Sequence, residues 1–214
     1  MARLPAAEPA ILRAVRIEPR RAAVVLGCVI ALVGLAGVLV AWRVDQGRDL
    51  FDLDGERNVP ATLSALLLVL AAVCVVRLPQ RVVPRAVSLG LGGVLVLAAL
   101  DEAFELHEKL ESALDVDWQL LYLPVFVVAA ALWCWLLYAL RGDRSTVALL
   151  GAAGLCWVAS QVLEHEQWGP DGPEPGYTWM MVTEEILELT GSALLVVALL
   201  VALSKLRAAP ARSD

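Results

Sequence analysis

Charge is scarce where this sequence is most apolar. None of its six long apolar runs holds a Lys or Arg, histidine occurs only twice, and charged residues make up 19% of the 214 positions against 59% apolar. There is no basic surface of the kind nucleic acid requires, no low-complexity tract and no separate soluble domain. No Glu-x-x-His pair of the sort used by di-iron bundles occurs, nor a His-Glu-x-x-His zinc motif. No nucleophile motif points to covalent catalysis. Internal repeats that would signal an inverted transporter symmetry are also missing. The four cysteines, Cys28, Cys74, Cys134 and Cys156, all lie inside apolar runs, where a thiol serves as a small packing residue.

What is present is length of hydrocarbon. A bilayer core about 30 Å thick needs ~20 helical residues. Apolar runs near that length are Ala22 to Trp42, Asn58 to Val76, Ala86 to Leu100, Trp118 to Leu140, Ser145 to Leu163, and a last one reaching Ser204 from around Tyr177. The third run and the uninterrupted part of the sixth, Leu189 to Ser204, are too short to span unless the acids beside them are counted in. The fold class expected is all-α, a six-transmembrane-helix bundle over residues 22–205, between a basic segment 1–21 and a tail 206–214. The basic N-terminus before an apolar stretch resembles a signal peptide, but Ala22 to Trp42 is too long for one and no small-x-small cleavage site follows. Residues Ile11 to Ile17 could form a short basic amphipathic helix on the inner surface or a basic tail.

Short loops rich in Lys and Arg stay in the cytoplasm. With the N-terminus inside, thirteen of the seventeen basic residues fall on the inner side, leaving Arg43, Arg48, Arg57 and Lys109 outside. Nineteen of the twenty-three acids fall at or beyond the outer helix ends. Trp42, Trp118, Trp168 and Trp179 land at the same boundary, as an interfacial aromatic belt would. Both termini are therefore expected in the cytoplasm, with the chain in the plasma membrane as a multipass protein. Glycine pairs such as Gly34 and Gly37, Gly90 with Gly92 and Gly93, and Gly151 and Gly154 let helix backbones approach closely.

The acids concentrate in three segments: Asp101, Glu102, Glu105, His107 and Glu108 closing the third span, Ser160, Gln161, Glu164, His165 and Glu166 closing the fifth, and Glu184, Glu185 and Glu188 opening the sixth. Spans three and five run outward and span six inward, so the three segments meet at one depth. Projected as continuous helices at 100° per residue, Asp101, Glu105 and Glu108 share a face, as do Glu184, Glu185 and Glu188, with Ser192 one turn deeper. Span five presents Ser160, Gln161, Glu164 and His165 together. Glu188 lies 17 residues from Lys205, about 25 Å of helix, which puts it within the outer hydrocarbon.

A charged side chain near the bilayer centre costs roughly 2.5–3.5 kcal/mol on insertion scales, so these residues should face the bundle interior and find partners. No intramembrane Lys or Arg is available, which leaves protonated carboxyls sharing hydrogen bonds, a bound cation, or a water-filled vestibule. Imidazole with carboxylate suits zinc, iron or manganese better than calcium or magnesium. The candidate metal-binding residues are Asp101, Glu102, Glu105, His107, Glu108, Glu164, His165, Glu184, Glu185 and Glu188. The plainer alternative is a hydrogen-bonded helix clamp.

Two connections border this layer. Asp49 to Glu56 could cap it or hold calcium, although it departs from EF-hand spacing and also reads as a solvated acidic loop. Pro170, Gly172, Pro173, Pro175 and Gly176 make the last connection a turn-rich lid. Phe51-Asp-Leu-Asp-Gly-Glu-Arg-Asn-Val-Pro60, Leu100-Asp-Glu-Ala103 with His107-Glu108, and Glu184-Glu185 with Glu188 and Gly191 resemble a group of bacterial multipass membrane proteins with no assigned function. That resemblance implies no activity. It singles out the acidic layer.

The expected function is a membrane protein whose extracytoplasmic carboxylate and histidine cluster binds a divalent metal ion. Its partners would be the bilayer and a lipid or envelope substrate, acted on by metal-activated water with a spare carboxylate as general base. The alternatives are a cation or proton transporter, weakened by the nearly apolar inner halves of the spans, and a non-catalytic structural subunit of a membrane complex.

Overall fold

A computed structural model describes residues 18–42, 50–55, 57–169 and 172–208. The possible amphipathic helix at Ile11 to Ile17, the first and last residues of the Asp49 to Glu56 loop, and Pro170 lie outside the described residues. Among those described, the chain forms seven helices and one two-residue hairpin. The helices are α1 (Pro19–Ala41), α2 (Val59–Val76), α3 (Arg85–Phe104), α4 (Leu106–Leu114), α5 (Trp118–Ala139), α6 (Arg144–Glu166) and α7 (Tyr177–Ala208); β1 (Trp168–Gly169) pairs antiparallel with β2 (Gly172–Pro173). All except α4 are long and apolar enough to cross a membrane, matching the six runs counted from sequence.

Local chemistry sets the helix boundaries. Asn58 caps α2 by accepting from the Ala61 amide at 3.0 Å, and Pro60 sits in the first turn, where its missing N–H costs nothing. Asp117 and Asp143 cap α5 and α6 by accepting from Gln119 and Ser145. Positively charged Lys205 and Arg207 fall in the last turn of α7, where the helix dipole favours them.

The 32-residue α7 is the central element. It packs along α6 for most of that helix's length and also meets α1 and α2; α3 lies on α2, and α5 leans on α3. The apolar core runs through Leu68 and Val75 of α2, Leu91 of α3, Leu136 of α5, Leu150 of α6 and Leu195 and Leu199 of α7, each at most 2% exposed. Gly191 lets α6 and α7 approach closely, since a methyl group there would collide with the Trp157 ring of α6. Of the glycines expected to pack, Gly93 and Gly151 instead face open space. Outward-facing residues remain apolar, with Leu32 68% and Leu155 72% exposed, the surface a hydrocarbon solvent calls for. None of the four cysteines is in a disulfide.

The bundle has two chemically different ends. At one, Lys205 of α7 reaches Asp143 at 2.7 Å and Arg81 reaches the Leu206 carbonyl at 3.3 Å. At the other, the acidic ends of α3, α6 and α7 come together beneath the hairpin and the 50–55 loop, where Leu53 is buried against Gly37, Met181 and Val182. Trp42 and Trp179 stack edge-on there with ring centres 4.5 Å apart.

Candidate functional site

The acidic end encloses a chamber of about 320 Å³ between α3, α5, α6 and α7. Its lining includes Asp54 of the 50–55 loop, Asp101 and Glu102 of α3, Glu108 of α4, Glu164 of α6, and Glu184, Glu185 and Glu188 of α7. His107 is the single nitrogen base among the lining residues, which include no Lys or Arg. Deeper in, the walls turn apolar, through Val94, Leu97 and Ala98 of α3 and Val125, Phe126 and Ala129 of α5.

The third span does not continue as the straight helix that the projection assumed. Glu105 adopts the left-handed conformation (φ 53°, ψ 47°), which ends α3 and restarts the chain as α4. Asp101 makes the break possible by accepting from the His107 backbone N–H at 2.8 Å, capping the new helix, while its second oxygen meets His107 Nδ1 at 3.0 Å. Tyr122 of α5 donates its hydroxyl to the same carboxylate at 3.0 Å. The shared face expected for Asp101, Glu105 and Glu108 is therefore corrected. Glu105 pairs with Arg57 at 3.4 Å and Lys109 at 3.7 Å and does not line the chamber, whereas Glu108 stays at its rim.

His107 also packs on Trp118, with ring centres 4.9 Å apart. Burial alone would lower its pKa. The hydrogen bond and charge of Asp101, reinforced by Glu164 and Glu108, overcome that effect and raise it to about 9.

Three of the α6 and α7 carboxylates are held by neutral donors. Trp118 Nε1 donates to Glu164 at 3.0 Å, Ser160 to Glu188 at 3.2 Å, and Gln167 to the 8%-exposed Glu184 at 2.6 Å. The Gln161 amide bridges two of them, donating to Glu164 at 3.2 Å and Glu188 at 3.4 Å. Its own carbonyl Oε1 is buried with no partner, as is the Ser192 hydroxyl one turn below Glu188. An unsatisfied buried acceptor is costly and rare in folded proteins.

Of the ten candidate residues, eight line the chamber: Asp101, Glu102, His107, Glu108, Glu164, Glu184, Glu185 and Glu188. Glu105 does not, and His165 is exposed and points elsewhere, so the stripe expected on the fifth span contains Ser160, Gln161 and Glu164 but not His165. The 50–55 loop contributes Asp54, which accepts from the Tyr177 hydroxyl at 2.8 Å. Sequence reasoning overlooked Tyr122, Gln167 and Tyr177 and read Trp118 only as a belt residue. The spacing of Trp118, Tyr122 and Phe126 at i, i+4 and i+8 is the signal that marks that wall. Among the described residues, no three His, Cys, Asp and Glu side chains converge closely enough to hold a metal ion.

No curated protein and no solved structure matches the chain. One family model does, over residues 22–203, which takes in all six long apolar helices and the whole acidic chamber. On that match the chain belongs to the family described as a domain of unknown function, DUF8692.

Proposed function

We propose that this protein is a multipass protein of the plasma membrane with both termini in the cytoplasm, and that the chamber at its outer end binds a cation. One observation carries the reading. Eight carboxylates surround a single enclosed space whose lining contains one imidazole and no Lys or Arg. In a medium of low dielectric such a charge set must recruit protons or a cation.

A divalent metal ion, with zinc, iron and manganese ahead of calcium and magnesium, is the narrowest form of the proposal. Glu164 and Glu188, already joined through Gln161, would be its nearest oxygen ligands, and the unpartnered Gln161 carbonyl could join them if the amide turned over. The side chains would have to close in, because no three metal-ligating groups converge among the described residues. Hydrolysis of a lipid or envelope substrate would depend on such an ion to activate water.

Elemental analysis of protein purified in detergent without chelator, beside a Glu164→Gln, Glu188→Gln variant, tests the metal form. One equivalent of a transition metal, lost in the variant, supports it; no metal in wild type, even after loading with zinc or manganese, removes it. Reporter fusions test the orientation, and an external C-terminus would turn the chamber to the cytoplasm.

A non-catalytic clamp is a second reading with its own support. Asp101, Glu164, Glu184 and Glu188 each accept a hydrogen bond from a neutral donor outside their own helix or across a chain break. In that reading the acids stitch α3, α5, α6 and α7 together as protonated or partly solvated groups, and no cation of any kind binds. The transport alternative has less support, because the chamber floor is apolar and no polar path leaves it toward the basic end.

A further inference from the structure

We infer that the cation taken by this chamber is an organic ammonium ion with N–H groups and an apolar body, a protonated alkylamine rather than a bare metal ion. The inference rests on the cation-binding reading above and names its ligand class.

Size is the first argument. A water molecule occupies about 30 Å³ of liquid volume, so a metal ion and its ligands leave most of a 320 Å³ chamber without a purpose. The same volume falls at the lower end of the range of small-molecule sites, roughly 300–1,000 Å³. The distribution of charge is the second. Metal ions draw four to eight donors to within about 2.0–2.6 Å, but these carboxylates stand around the walls, Glu164, Glu184 and Glu188 each with a hydrogen-bond donor of its own, and no three metal-ligating groups converge among the described residues. An ammonium ion is satisfied by diffuse negative charge at greater distance.

Aromatic faces supply the third argument. Trp118 lies with its ring centre 5.6 Å from Tyr122 and 5.9 Å from Phe126, and all three line the chamber together with Trp157. Aromatic faces attract ammonium groups, worth about 0.5–2 kcal/mol each, more when desolvated. The chamber is also amphipathic along its depth. From Asp101 to Val94 the α3 wall passes from carboxylate to hydrocarbon over two turns, about 10 Å. A cationic head at the level of Asp101 and Glu188 would place an attached chain of about six carbons against Val94, Ala98 and Ala129.

The lining carboxylates select among ammonium ions, because an N–H group can donate to Glu164 or Glu188 where a quaternary ammonium cannot.

The experiment is calorimetric titration of hexylammonium into the full-length protein in nanodiscs, with heats from empty nanodiscs subtracted. Hexanol, hexyltrimethylammonium, zinc and manganese are run in parallel. Saturable hexylammonium binding is expected, at least tenfold weaker in Glu164→Gln, Glu188→Gln, with hexyltrimethylammonium several-fold weaker and hexanol undetected. Ala98→Phe, which fills the floor and leaves the acids in place, should weaken hexylammonium at least tenfold while methylammonium is little affected. Zinc or manganese binding without hexylammonium binding overturns this inference and leaves the cation-binding reading standing. If no cation binds wild-type protein, both fall. Equal binding of hexanol also overturns it, because the chamber would then be reading hydrocarbon alone.

Discussion

The two ends of the bundle use the same polar vocabulary to different effect. At the basic end, Asp143 accepts from Lys205 at 2.7 Å, from Thr146 at 2.7 Å and from Ser145 at 2.8 Å, so this N-cap acid meets a cation, two hydroxyls and a helix N-terminus. Burial, the largest single influence, pushes the Asp143 carboxyl up, but those donors together hold it well below the usual range. At the acidic end, eight carboxylates and one histidine line the chamber with no Lys or Arg among them. Toward the basic end Leu150, Val196 and Leu199 are fully buried in a solid core, and the space of about 330 Å³ there lies at the helix ends beside Asp143 and Lys205; toward the acidic end the chamber reaches in among the helices as far as Val94 and Ala129.

The largest expected effect lies in the solid half. Leu199→Ala should lose about 2–5 kcal/mol of unfolding free energy, since a deleted core side chain leaves a cavity that neighbours fill only partly. In a bilayer that loss is mainly lost packing, because lipid tails are as apolar as leucine. Reversible unfolding in mixed micelles measures it. The matching truncation at the chamber wall, Val94→Ala, should cost far less, because that side chain already borders empty space. Equal costs would break the contrast between solid and hollow halves.

Asp143→Ala comes next, at about 1–2 kcal/mol, combining a lost helix cap with a lost ion pair. Lys205→Ala should cost less, roughly 0.2–1 kcal/mol, because the lysine side chain is 51% exposed and the pair is screened. If the lysine change proved the costlier, the clasp would owe more to charge than to capping.

The fold was legible because its signal is cumulative. Six apolar runs and the blocks of arginine between them need no tertiary knowledge. The meeting of the acids was legible too, because runs three and six were too short to span unless their carboxylates were counted in. What escaped was anything depending on a single dihedral angle or a neutral donor. A 100° projection carries Glu105 onto the face of Asp101, but one left-handed residue, stabilised by Asp101 capping the restarted helix, turns it toward Arg57. His107 and His165 have similar acidic neighbours in sequence, yet the break brings one over the chamber and the last turn of α6 leaves the other outside. Tyr122 and Gln167 carry no charge and so stood out from nothing, although each holds one of the carboxylates.

A smaller effect, readable as a slope with pH, belongs to His107. Its pKa is raised from 6.5 to about 9 in the folded protein by Asp101, Glu164 and Glu108 against the opposing pull of burial. A histidine stabilised in its charged form contributes fully below its unfolded pKa and loses that contribution as pH rises through the folded value. Thermal stability in detergent should therefore decline between about pH 6.5 and 9 in wild type, and His107→Gln should flatten that decline. An unchanged slope in the variant would mean that Asp101 is held by the His107 backbone and Tyr122 alone.

The smallest expected effect is the most telling for the contrast between the ends. Glu188→Gln preserves the acceptor that Ser160 and Gln161 use, removes a charge from low dielectric, and adds an amide N–H beside a Gln161 carbonyl that lacks a donor. Removing one partner of a buried ion pair usually costs about 3–5 kcal/mol, because the other charge is stranded. Here no Lys or Arg lines the chamber, and the His107 imidazolium keeps Asp101 as its partner at 3.0 Å, so no charge is stranded. Unfolding free energy should stay within about 1 kcal/mol of wild type, or rise, given the usual cost of burying an unpaired charge. A loss comparable to that of Leu199→Ala would show that the Glu188 charge is itself part of the scaffold, and the acidic end would then be as closed structurally as the basic one.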